Sequence, residues 1–160
     1  MAKQKNATAK DARLVLEFYD LRREAEMRKA RNFYAMQFNP QSFDDVVKVV
    51  GAFGSDENRW FRQMVSYWEM GASLVLRGAV HEELFLDNAG EMFFVFCKIK
   101  PFLPELRKKF NSPEFLGHMD KLIHRSAANR KRLKVFEERM AQFAKMRAAS
   151  AGEGKQKFGT

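Results

Sequence analysis

The sequence predicts an all-α single domain of four or five helices around a central helix, with a long C-terminal helix. Three observations lead there. Apolar residues recur at spacings of three and four along most of the chain, the period of a helix face. Four prolines and nine glycines in 160 residues leave long helices unobstructed. Two runs rich in valine and phenylalanine have strand propensity, but no partner strand is available to them. The helical domain is expected over residues 10–148, between a flexible arm at 1–9 and a disordered tail at 149–160.

A first helix is expected from Lys10 to Phe38. Leu14, Phe18, Leu21 and Ala25 share one face, and Met27, Ala30, Phe33 and Tyr34 lie on another. Such a helix bends or touches two neighbours. Asn39-Pro40 ends it, because the residue before proline disfavours helix. Ser42 with Asp45 forms a capping box for a short helix through Phe53. Asp56 is read as the cap of the central helix, Glu57–Arg77. There Arg59, Arg62, Ser66, Glu69, Ser73 and Arg77 make one narrow polar stripe on an otherwise apolar cylinder, as expected of a helix with several neighbours. Gly71, Ala72 and Ser73 offer a low-profile patch for close approach.

Asn88, with Glu91 three residues on, predicts the cap of a helix over MFFVFCKI, which Pro101 and Pro104 kink or end. Ser112-Pro113 reads as the start of a helix over 113–148. Along it Phe115, Met119, Leu122, Ser126, Asn129, Leu133, Phe136, Met140, Phe143 and Arg147 alternate at four and three, a heptad-like seam. At 1.5 Å per residue such a helix is about 50 Å long and overhangs a domain of this size.

Composition narrows function by exclusion. Hydrophobic residues are 46% and charged residues 31%, the balance of a folded chain rather than a disordered one. The polar MAKQKNATAK start lacks a secretion h-region, and Glu69 and Arg77 interrupt the one segment apolar enough to suggest a transmembrane helix. The single cysteine, Cys97, allows no internal disulfide and fits a cytoplasmic setting. The net charge of +9 is uneven: residues 125–147 carry eight basic side chains against Glu137 and Glu138, whereas residues 81–97 carry four acids and no lysine or arginine.

The candidate acid–base residue is Glu69, set among Tyr67, Trp68 and Met70, with Arg62 and Arg77 on the same stripe. A buried carboxylate there could transfer protons; a structural ion pair with an arginine, or plain exposure to water, is the favoured alternative. The i, i+4 pairs Glu114/His118 and Asp120/His124 lie on one helix at the wrong spacing for a helical carboxylate metal centre, so no metal site is assigned. Cys97, between Phe96 and Lys98, reads as an inert buried thiol. No glycine-rich phosphate loop or nucleophile elbow occurs, and no cofactor is assigned. Arg125, Arg130, Lys131, Arg132 and Lys134 form a basic helical stretch able to bind anions.

The runs RKARNFYAMQF, FRQMVSYWEMGASLVLRGAVHEELF and GEMFFVFCKIKPFL resemble a group of small bacterial helical proteins of unassigned function, over about residues 12–125. The resemblance implies an all-helical bacterial protein and carries over no functional residue.

The leading expectation is a non-catalytic interaction or scaffold protein, self-associating through the C-terminal helix as a homo-oligomer or binding a protein partner. Non-specific binding of nucleic acid, or of an anionic membrane surface, through the basic faces is the alternative. A small enzyme using Glu69 is the third.

Overall fold

The computed structural model describes residues 6–156, with side chains described through Ala149. Among the described residues every regular element is helical: α1 (Ala9–Arg23), α2 (Ala25–Asn32), α3 (Phe43–Gly51), α4 (Asp56–Leu76), α5 (Glu82–Asn88), α6 (Gly90–Ile99), α7 (Leu103–Lys109), α8 (Gly117–His124) and α9 (Ala127–Gln156). A π-helical turn, Phe33–Gln37, continues α2, and a 3₁₀ turn, Lys100–Phe102, joins α6 to α7. The all-α prediction holds.

The helices are shorter and more numerous than the sequence pattern suggested. The expected first helix breaks at Glu24, whose ψ of 145° is extended and whose carboxylate accepts from Met27 N to cap α2. The break lets the two apolar faces of this segment address different neighbours. The expected 113–148 helix is cut twice. Residues 112–116 form turns in place of a helix opened by Pro113, and Leu116 is left-handed at φ 55°. A second break at Arg125–Ser126 follows, where Ser126 Oγ accepts from Asn129 N and caps α9. Helix α9 runs to Gln156, so the expected tail overlaps its last turns. Residues 157–160, and residues 1–5 of the expected arm, lie outside the described residues.

Capping follows local chemistry more than helix pattern. Thr8 and Asp11 form a capping box on α1, and Ser42 and Asp45 form the predicted one on α3. Ser55 rather than Asp56 caps α4. Asn88 caps nothing; its amide donates back to Leu84 O, and α6 starts from Ala89 without a side-chain cap.

Helix α4 is the axis of the molecule, packed by α2, α3, α5, α6 and α8. It buries Phe61, Met64, Val65, Tyr67, Trp68, Ala72 and Val75, while Arg59, Arg62 and Ser66 of its polar stripe are exposed. At roughly 1.5–3 kcal/mol for each large apolar side chain removed from water, this helix anchors the fold. Gly71 makes room for rings from α1 and α5: a Cβ there would lie 2.8 Å from the Phe85 ring and 3.1 Å from the Phe18 ring. The low-profile patch of the sequence is thus the seat of two aromatic rings.

Three polar side chains are buried among the described residues, and each closes a helix C-terminus. Asn58 Nδ2 donates to Val49 O and Val50 O at the end of α3. Asn129 Nδ2 donates to Leu122 O in the last turn of α8. Lys98, 6% exposed, donates to Tyr34 O at 2.6 Å, Phe38 O at 2.7 Å and Asn39 Oδ1 at 3.1 Å, closing the π-helical turn. The last carbonyls of a helix have no partner within it, so a buried helix end needs such donors.

Candidate functional site

The polar stripe of α4 does not assemble into a catalytic group. Arg62 and Arg77 are exposed and do not pair with Glu69; Arg77 Nε lies 3.4 Å from Ser73 Oγ. Glu69 instead turns to α8. Its Oε1 accepts from His118 N at 2.8 Å and lies 2.8 Å from His118 Nδ1, and its Oε2 accepts from Met119 N at 3.0 Å. A carboxylate on the first N–H groups of a helix satisfies unpaired donors and meets the positive end of the helix dipole. The expected ion pair with an arginine, or exposure to water, gives way to this cap, because the Leu116 turn brings the start of α8 against α4. Helix α8 then buries Met119, Leu122 and Ile123 completely.

The remaining histidines are engaged locally. His124 Nδ1 lies 2.8 Å from Asp120 Oδ1. His81 Nδ1 accepts from Leu84 N and caps α5. Among the described residues no three His, Cys, Asp or Glu side chains converge in a geometry that could hold a metal ion. Burial pushes the Cys97 thiol up to about 12, with the Glu137 charge adding to the effect. Burial pulls the Lys98 ammonium down to about 8, assisted by the Arg147 charge, while its three acceptors favour the protonated form.

The basic stretch is largely spoken for. Arg125 pairs with Glu82 at 2.9 Å. Arg132 donates to Leu86 O at 2.7 Å, lies 3.6 Å from Asp87 and sits over the Phe93 ring. Arg130 donates to His124 O. Lys131 and Lys134 are exposed and point no charge at an acid among the described residues. Two ion pairs, Arg125 with Glu82 and Arg132 with Asp87, therefore join the acidic run of α5 to the basic stretch beside a wide groove of about 1350 Å³, whose lining also includes Asp11 and His81. Thr8, through its hydroxyl and its N–H, holds the Asp11 carboxyl below its ordinary range, and His81 N donates to it at 2.9 Å.

Large apolar side chains are exposed at several places, Leu16, Met36 and Phe53 among them, and α9 is where exposed ones continue a packed helical seam. Its seam starts inside the domain: Leu133 is 4% exposed, Phe136 stacks on Phe93, and Met140 packs against the core. Lys100 pairs with Glu137 alongside. The seam then leaves the core. Phe143 is 62% exposed, and every side chain from 141 to 149 is exposed. The seam was legible in the sequence, but the point where it leaves the core was not.

No helix among the described residues is long and apolar enough to cross a membrane. No curated protein and no solved structure matches the chain. A family model, described as a domain of unknown function (DUF4760), matches residues 7–126. The match covers α1 to α8 and ends one residue before α9 begins. It agrees with the resemblance to helical proteins of unassigned function, and the chain belongs to the DUF4760 family.

Proposed function

We propose that this is a non-catalytic interaction protein that self-associates through the outer part of α9. One observation carries the reading: a single apolar seam is buried at Leu133 and still apolar, but exposed, at Phe143. Exposed apolar positions that continue a packed helical seam are completed by a second helix. A second copy of this chain supplies an identical seam, and two copies of α9 pack as an isologous pair. Glu69 supports the non-catalytic part of the reading, since both its oxygens are occupied as a helix cap. The buried thiol and the absence of a spanning helix among the described residues fit a cytoplasmic setting. Phosphate binding is the weaker alternative, because three of the five proposed cations already have partners.

Sedimentation velocity tests this reading on the intact chain and on a chain ending after Met140, which keeps every buried residue of α9. The intact chain sediments as a dimer at micromolar concentration, and the shortened chain as a monomer. An intact chain that is monomeric, or a shortened chain that still dimerises, overturns the proposal.

A further inference from the structure

The two halves of the α9 seam have different surroundings, and the difference limits how a second copy approaches. Leu133, Phe136 and Met140 face the body of the domain. Leu133 is buried, Phe136 stacks on Phe93 of α6 at 5.8 Å between centroids, and Met140 packs against the core. Helices α6 and α8 pack on this half. The same face continues outward through Phe143 and Arg147, both exposed. Arg147 pairs with no acid among the described residues.

Two helices related by one two-fold axis run parallel or antiparallel. In a parallel pair equal residues lie level. Leu133 of the second copy would then stand about 8–10 Å from Leu133, on the side that the first copy's own α6 and α8 fill. Each domain would occupy the other's place. Arg147 would also lie level with Arg147, two like charges in one seam. An antiparallel pair has neither conflict. The outer segments overlap, the domains sit at opposite ends, and Phe143 of each copy lies level with Arg147 of the other. This contact is already in use along α9: Arg139 lies over the Phe136 ring at 5.8 Å, and Arg132 lies over the Phe93 ring at 5.7 Å. A guanidinium over a ring face is attracted to it, more strongly where water is excluded.

We propose that the second copy meets α9 antiparallel, with Arg147 of each copy over the Phe143 ring of the other. This arrangement rests on the self-association through α9 proposed above, and it adds the direction of the partner and the side chain that the partner brings.

A spin label on Lys131→Cys, an exposed position in the first half of α9, reads the direction by dipolar spectroscopy at micromolar protein. With Phe143 level with Arg147, the midpoint of the overlap is Lys145. At 1.5 Å per residue, labels on either side of it lie about 40 Å apart. Parallel copies hold them within about 20 Å, the helix spacing plus the label arms. A distance near the longer value is expected. The shorter one overturns the antiparallel arrangement and leaves self-association standing. No intermolecular distance, with a monomer in sedimentation, overturns both. Arg147→Gln, at an exposed position, reports the contact in sedimentation equilibrium. Two lost arginine–ring contacts raise the dimer Kd about tenfold. In a parallel pair the same change removes a repulsion and lowers Kd. An unchanged or lowered Kd overturns the contact.

Discussion

Replacing Glu69 with alanine removes a helix cap rather than a catalytic group, and the size of the effect follows from its bonds. Glu69 accepts from two backbone N–H groups in the first turn of α8 and faces the His118 ring. Loss of a capping acceptor costs about 0.5–2 kcal/mol. Loss of a negative charge at a helix N-terminus adds about 0.3–1 kcal/mol. Water reaches part of the site, since the Glu69 side chain is 22% exposed, and it replaces some of what is lost. The expected destabilisation is about 2 kcal/mol, or a fall in Tm of roughly 4–8 °C for a domain of this size. Glu69→Gln keeps one acceptor oxygen and loses about 1 kcal/mol. His118→Ala loses only the ring contact, so it loses less than Glu69→Gln. Urea unfolding followed by circular dichroism gives all three values. A Glu69→Ala change within about 0.5 kcal/mol of the native chain, as at an ordinary surface position, refutes the capping role.

Three further outcomes follow from the same structure. Lys98 is pulled down to about 8 from an ordinary 10.5, so the folded chain releases this proton before the unfolded one. Stability gained from that group rises with pH from about 8 toward 10.5, by about 1 kcal/mol between pH 7 and 9. Lys98→Met abolishes the rise, and identical pH dependence in the two proteins contradicts the shift. Cys97 acts in the opposite sense: with its thiol raised to about 12, the unfolded form ionises first, and its contribution declines above pH 9. At neutral pH a thiol reagent modifies Cys97 only as fast as the chain opens, and fast labelling of the native protein contradicts its burial. Gly71→Ala gains up to about 1 kcal/mol of helix propensity but loses about 1–3 kcal/mol by displacing the Phe85 and Phe18 rings. The variant is therefore less stable in urea unfolding, and a stabilised variant means that the rings yield freely.

The local elements were legible because their signals are local. The Ser42 and Asp45 capping box, the apolar cylinder of α4 and the close-approach patch at Gly71 each follow from residues a few positions apart. The breaks were not legible, because distant side chains complete them. Pro113 is a good first helical residue, yet α8 starts four residues later, where Glu69 supplies its cap from across the sequence. Leu116 adopts the left-handed turn although Gly117 is next to it, and no sequence rule assigns that conformation to leucine. Lys98 entered the sequence reading only as the neighbour of Cys97. Its role depends on the π-helical turn at Phe33–Gln37, which exposes carbonyls that only a long cationic side chain can reach. Asn129 read as a polar interruption of the seam, and it closes the preceding helix instead. For the candidate site, the seam of α9 was visible as a period, but its change from buried to exposed between Met140 and Phe143 depends on where the core ends.

Self-association is decided by whether α9 meets α9 in solution. A spin label on the Ala144→Cys variant reads this, because Cys97 is buried and unreactive and the label goes to the exposed helix alone. Packed helices lie about 8–10 Å apart, so paired copies place two labels within range of dipolar spectroscopy. The prediction is an intermolecular distance distribution at micromolar protein that disappears when Phe143 is replaced by aspartate. A featureless background decay at every concentration, or a distance unchanged by Phe143→Asp, contradicts self-association through this helix.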